Sequence, residues 1–144
     1  MVPKTFVGQG RMRFVDPKGG MEPIGNRIIT VPEDQDKARA RDPRSGFVSY
    51  VPPGSLSKGK ALAETGARGK TIACNICHGD GMKGLANVPR IAGLHPIYIA
   101  RQLHLFKDGD RKGADSALMT KPVAQLTNDD ILNLSAYLGS LSPE

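Results

Sequence analysis

Residues 74–78 read Cys-Asn-Ile-Cys-His, and no other feature limits the chain's architecture and chemistry as tightly. Two thiols stand one helical turn apart, and an imidazole follows the second directly. Cys74 and Cys77 are the only cysteines, so none is left for a structural disulfide elsewhere. A disulfide, a dithiol redox centre and half a zinc site compete for the motif. A thioredoxin-like dithiol belongs in a βαβ context, and no strand-rich, alternating stretch precedes Cys74. Zinc takes about four ligands, yet Cys77 and His78 are adjacent and no second cysteine pair exists. A planar macrocycle that takes two sulfurs at its rim and a nitrogen at its central iron uses all three residues. The motif thus predicts one haem c, bound covalently through Cys74 and Cys77, with His78 as the proximal ligand of the iron.

At 144 residues there is room for one ordinary domain, or a smaller one with an extension. Tryptophan is absent and aromatic residues make up 5%, so a modest core would gain apolar area from a buried haem. The net charge of +6 favours acidic partners. Nucleic acid is not expected, because the basic residues are dispersed among acids, without a Lys/Arg run or an aromatic-interleaved patch. No stretch approaches the roughly 20 apolar residues that span a bilayer, so the chain is expected not to cross a membrane. Met1-Val2-Pro3-Lys4 leads straight into mixed sequence rather than a secretory signal. Since haem is attached outside the cytoplasm, a signal or upstream segment is expected to be absent from this chain.

Two regions differ in texture. Residues 1–54 are broken by Gly19-Gly20, Glu22-Pro23, Val31-Pro32, Asp42-Pro43 and Pro52-Pro53-Gly54. β-like runs fall at Arg27–Val31 and Phe47–Val51, and the charged stretch 33–44 reads as a solvated turn or short helix. This region is expected to be an irregular extension or linker strap, ahead of an all-α domain over 55–144. There, Gly59, Leu62, Ala63 and Gly66 share one helical face of small residues, which lets a second helix approach closely. The glycines after His78 lack the context of a phosphate-binding loop. Pro96 opens a second helix with Ile99, Ala100, Leu103 and Phe106 along its stripe, closed by Asp108-Gly109. Thr127 with Asp130 fits a capping box, ahead of a last helix burying Ile131, Leu134, Leu138 and Leu141.

The second axial position of the iron separates electron transfer from ligand binding. Met82 is too near His78 in sequence to cross the macrocycle easily. His104 shares a polar stripe with Arg101 and Asp108 and reads as a surface residue. His95 reads as a helix-entry residue. Met119 lies in the irregular stretch 109–126 between two amphipathic helices, where a loop can fold over the far face. It is the expected sixth ligand, against the alternative that it only fills a core gap. Pro89 is the expected source of a carbonyl for the other ring nitrogen of His78. Arg90, Tyr98 and Arg101 are candidates for the haem propionates.

In order, these features resemble the class I c-type cytochromes: Gly59, Cys74 to Gly79, Pro89-Arg90-Ile91-Ala92-Gly93-Leu94, Tyr98 to Leu103, Met119, and Leu126-Thr127 leading to Ala136-Tyr137-Leu138. Tyr98 to Leu103 followed by Phe106-Lys107-Asp108-Gly109 is most similar to bacterial two-haem cytochromes built of tandem domains. The resemblance covers about residues 55–142. It implies an all-α fold of three main helices around one haem, first and last helices crossing where Gly59 meets Leu134 and Tyr137, and His/Met ligation. It also implies a periplasmic electron carrier rather than an enzyme, serving acidic redox proteins as donor and acceptor. Only one Cys-x-x-Cys-His is present, and residues 1–54 resemble the segment joining two such domains. A second haem domain outside this chain is therefore an expected partner. A dehydrogenase subunit is the competing partner, and an open-site haem sensor is a further alternative.

Overall fold

The computed structural model describes all residues, Met1–Glu144. The chain divides into two compact units, Met1–Pro52 and Pro53–Glu144, each with its own apolar cluster.

The first unit is built from very short strands: β1 (Val2–Pro3), β2 (Thr5–Val7), β3 (Arg13–Val15), β4 (Met21–Glu22), β5 (Ile29–Pro32) and β6 (Phe47–Tyr50). They form three antiparallel two-stranded ladders, β1 with β4, β2 with β3 and β5 with β6. The two β-like runs seen in the sequence are partners, with Ile29 opposite Tyr50 and Pro32 opposite Phe47. Proline lacks the donor that a longer ladder needs, so it stands at the strand's end. Helix α1 (Gln35–Arg39) sits in the charged stretch, where the Asp34 carboxylate accepts from the Asp36 and Lys37 N–H groups at 2.9 and 3.0 Å. Val2, Ile24, Ile29 and Val31 form the core, and Arg39 lies 5.0 Å over the ring of buried Phe14. The region thus carries three short antiparallel ladders and one α-helical turn between stretches of irregular chain. Strands of two to four residues are too short to leave a period in the sequence.

The second unit is all-α apart from a single bridge between Leu85 and Val88. Its helices are α2 (Ser55–Thr65), α3 (Asn75–His78), α4 (Pro96–Lys107), α5 (Ala117–Val123) and α6 (Asn128–Ser140). Leu62, Ile99, Leu126, Ile131, Leu134 and Leu138 are buried together, which closes the apolar faces of α2, α4 and α6 on one another. α2 and α6 cross at Gly59. A Cβ there would lie 2.6 Å from the Cβ of Tyr137 and closer still to the Asn133 carbonyl oxygen. The Tyr137 hydroxyl donates to Glu64 Oε1 at 2.5 Å and links the same two helices beside the crossing.

α6 begins with the capping box: the Thr127 hydroxyl accepts from Asp130 N–H, and Asp130 Oδ2 accepts from Thr127 N–H at 2.8 Å. The same carboxylate pairs with Lys70 Nζ at 2.5 Å. Burial alone would push the Asp130 carboxyl up, but the Lys70 ammonium and the Thr127 donors outweigh it and hold it below its ordinary 3.8. A carboxyl lowered on folding contributes stability that is present above pH 3.8 and is lost as the pH falls through the lower folded-state value. Asp130→Asn is expected to lower stability at neutral pH by about 1 kcal/mol. The gap from wild type should close in acid. Urea unfolding at several pH values measures this, and a gap independent of pH would contradict it.

Candidate functional site

The Cys-x-x-Cys-His segment is one short turn, α3, anchored to α2 by the Cys74 N–H, which donates to the Ala63 carbonyl at 2.7 Å. Cys74 is half-buried, Cys77 exposed and His78 buried, and both thiols are unbridged. Burial pushes the Cys74 thiol up to about 11, with the neighbouring Cys77 adding to it. A thiol held protonated at neutral pH is a poor dithiol redox centre and a poor zinc ligand. No group of three or more His, Cys, Asp or Glu side chains converges as a metal site.

The imidazole of His78 is oriented from behind. Its Nδ1–H donates to the Pro89 carbonyl oxygen at 2.7 Å. A carbonyl can only accept, so Nδ1 carries the proton and Nε2 keeps its lone pair for a ligand. The glycine-rich run after the motif makes this geometry possible. Gly84 N–H donates back to the His78 carbonyl at 2.7 Å, and Gly84 has φ +96°, in the left-handed region. A Cβ at Gly84 would stand 3.0 Å from Arg90 N and 3.1 Å from the Val88 oxygen, against the very turn that presents Pro89. The Met82 carbonyl accepts from Ile91 and Ala92 N–H at 2.9 and 3.0 Å and closes the loop. The sequence excluded phosphate binding for this run but did not reveal its task, which is to bring residue 89 back beneath residue 78.

Met119 does not lie in an irregular loop. It is on α5, half-buried, and packs against the cluster of Ile99, Val123 and Leu126, as Cys74 does. Pro122 stands inside α5, and a helix of seven residues with a proline in it offers little period to recognise in the sequence. Met82 is fully buried in the same cluster. His95 caps α4, and its carbonyl accepts from Tyr98 and Ile99 N–H. His104 is half-buried, while Arg101 and Asp108 on the same stripe are exposed. Arg90 is exposed and donates to the Pro143 carbonyl at 3.4 Å, while Tyr98 and Arg101 are exposed on α4.

One link had no sequence signal at all. The Thr71 hydroxyl donates to the Pro122 carbonyl at 2.6 Å, across 51 residues of chain. A threonine before a cysteine motif is ordinary, and only the folded chain brings it to α5.

Two unbridged thiols one turn apart, an imidazole nitrogen with its lone pair available and a thioether in the same core fit a haem with its two vinyl groups and its iron. They do not make a tetrahedral zinc site.

Comparison with known proteins places the chain in a family. The family model for cytochrome c matches residues 56–142. Cytochrome c4 of Stutzerimonas stutzeri is 30% identical over 138 residues, which cover 93% of this chain and 63% of that protein. The thiosulfate dehydrogenase electron acceptor of Thiomonas intermedia is 38% identical over 76 residues, 51% of this chain and 34% of that protein. Among solved structures, reduced recombinant cytochrome c4 from Pseudomonas stutzeri superposes with a TM-score of 0.58 at 33% identity, covering 65% of this chain and 51% of that one. The chain thus spans less than two thirds of these relatives.

Proposed function

Because the chain belongs to the cytochrome c family of electron-transfer haem proteins, we propose that it holds one haem c through Cys74 and Cys77, with His78 and Met119 as axial ligands, and passes single electrons between proteins of the bacterial periplasm. The observation that carries this reading is the 2.7 Å bond from His78 Nδ1 to Pro89, which fixes the ring and reserves Nε2 for iron. When bound, the haem supplies a reversible one-electron iron couple. Met119 brings a soft thioether, which favours the ferrous state and raises the potential relative to two imidazoles. Arg90 and Tyr98 lie in segments 89–94 and 96–107 and are assigned to the propionate side of the haem. Exposed Lys83 and Lys121 would meet an acidic patch on the donor or acceptor, giving a small, brief contact.

A second reading has its own support. Similarity to an electron acceptor of thiosulfate dehydrogenase favours service as the haem domain or subunit of a larger oxidoreductase complex. Residues 1–54 would then join or dock the haem domain to a neighbouring one.

The test is the reduced-minus-oxidised spectrum, with and without CO, of wild type and Met119→Ala. Wild type is expected to be low-spin and slow to take CO, whereas the variant binds CO readily and loses the long-wavelength band of thioether-ligated ferric haem. A band that survives in the variant would show that another residue is the sixth ligand. Rapid CO binding by wild type would favour an open-site sensor.

A further inference from the structure

Met119 lies on a helix whose neighbouring chain is fastened on both sides. Upstream of α5, Arg111 donates to Gln102 Oε1 at 2.6 Å and lies 4.5 Å over the Phe106 ring, which ties that stretch to α4, while Ser116 makes no side-chain cap to α5 itself. Downstream the chain is fastened repeatedly. Thr71 Oγ1 donates to the Pro122 carbonyl, Lys107 Nζ donates to the Leu126 carbonyl, and Lys70 pairs with Asp130 at the start of α6. The last carbonyls of a helix have no partner within it, so a side chain from elsewhere satisfies Pro122 and fixes where the helix ends.

Thr71 differs from the other two donors in what stands behind it. Its own N–H donates to the Gly66 carbonyl at 3.1 Å, and three residues on, Cys74 N–H is bound to Ala63. The hydroxyl therefore ties α5 to the segment that carries the first cysteine. Met119 and Pro122 are three residues apart, close to one turn, so a shift of the Pro122 end moves the thioether with it.

We propose that Thr71 is a positioning residue for the sixth iron ligand, holding the Met119 helix in register with the haem-attachment segment through its bond to Pro122. The inference rests on the Met119 assignment made above. A neutral hydrogen bond contributes about 0.5–1.5 kcal/mol, which is roughly three- to tenfold in an equilibrium between seated and displaced thioether.

Titration of the ferric holoprotein with imidazole, followed by the loss of the thioether band, reads that equilibrium. Thr71→Val keeps the shape and removes the donor; it is expected to take imidazole about three- to tenfold more tightly than wild type. Thr71→Ser keeps the hydroxyl and is expected to match wild type. If Thr71→Val lowers the urea midpoint but leaves imidazole affinity unchanged, Thr71 only caps a helix and the proposal fails. Equal affinities in Thr71→Val and Thr71→Ser overturn it as well. Met119→Ala run in parallel separates the two claims: a thioether band that persists there refutes the ligand assignment itself, whatever Thr71 does.

Discussion

Replacing His78 with alanine is expected to abolish the low-spin spectrum of the oxidised and reduced protein while leaving the haem covalently attached. In the proposed reading the thioether bonds belong to Cys74 and Cys77, so attachment and axial ligation are separable. The other histidines stand elsewhere in the fold: His95 is the N-cap residue of α4, and His104 lies on α4. Added imidazole should restore much of the low-spin spectrum by taking the vacated position. Pro89→Ala supplies the contrast. It keeps a backbone carbonyl at the same place in the chain, so it should alter the spectrum far less, with any change arising from loss of the turn's rigidity. A low-spin spectrum in His78→Ala without added ligand would remove His78 from the proximal position.

Gly59→Ala is expected to destabilise the protein by about 2 kcal/mol, and Gly59→Val by about 3 kcal/mol or more. The sign is informative because helix propensity alone points the other way: alanine in a helix interior is favoured over glycine by about 1 kcal/mol. Packing wins because a Cβ at Gly59 would lie 2.6 Å from Tyr137 Cβ and nearer still to backbone oxygen at Asn133. Neither group is the movable end of a flexible side chain, so α2 and α6 must part to admit a methyl. Gly113→Ala is a fitting control, since nothing lies within 4 Å of a Cβ there. Chemical unfolding of the three variants measures the difference, and a stabilised Gly59→Ala would mean that the helices can separate cheaply.

Residues with a strong local rule are legible in the sequence. The Pro96 start of α4 and the Thr127–Asp130 capping box of α6 follow from one turn of sequence each. The buried face of α6 followed from its period. Gly59 was legible as a close-approach residue because an unneeded glycine in a helix lowers stability unless something fills the space. The strands of residues 1–52 are legible only at β5 and β6, where a run of four residues carries β-branched or aromatic side chains.

α5 was not legible, because a seven-residue helix containing a proline carries breaker signals stronger than its own period. Its end is set by Thr71 and that of the following turn by Lys107, donors 51 and 19 residues away. Hydrogen bonds of that span leave no spacing to recognise.

By itself the sequence determined that two thiols and an imidazole meet, since they need only one turn of chain to be brought together. It likewise determined the helices that frame it, because their apolar periods are local. Tertiary structure alone decided which ring nitrogen of His78 keeps its lone pair, through the return of Pro89 beneath it, and where the thioether of Met119 is held. Both depend on backbone carbonyls, which are the same in every residue and acquire a role only from what the fold sets against them.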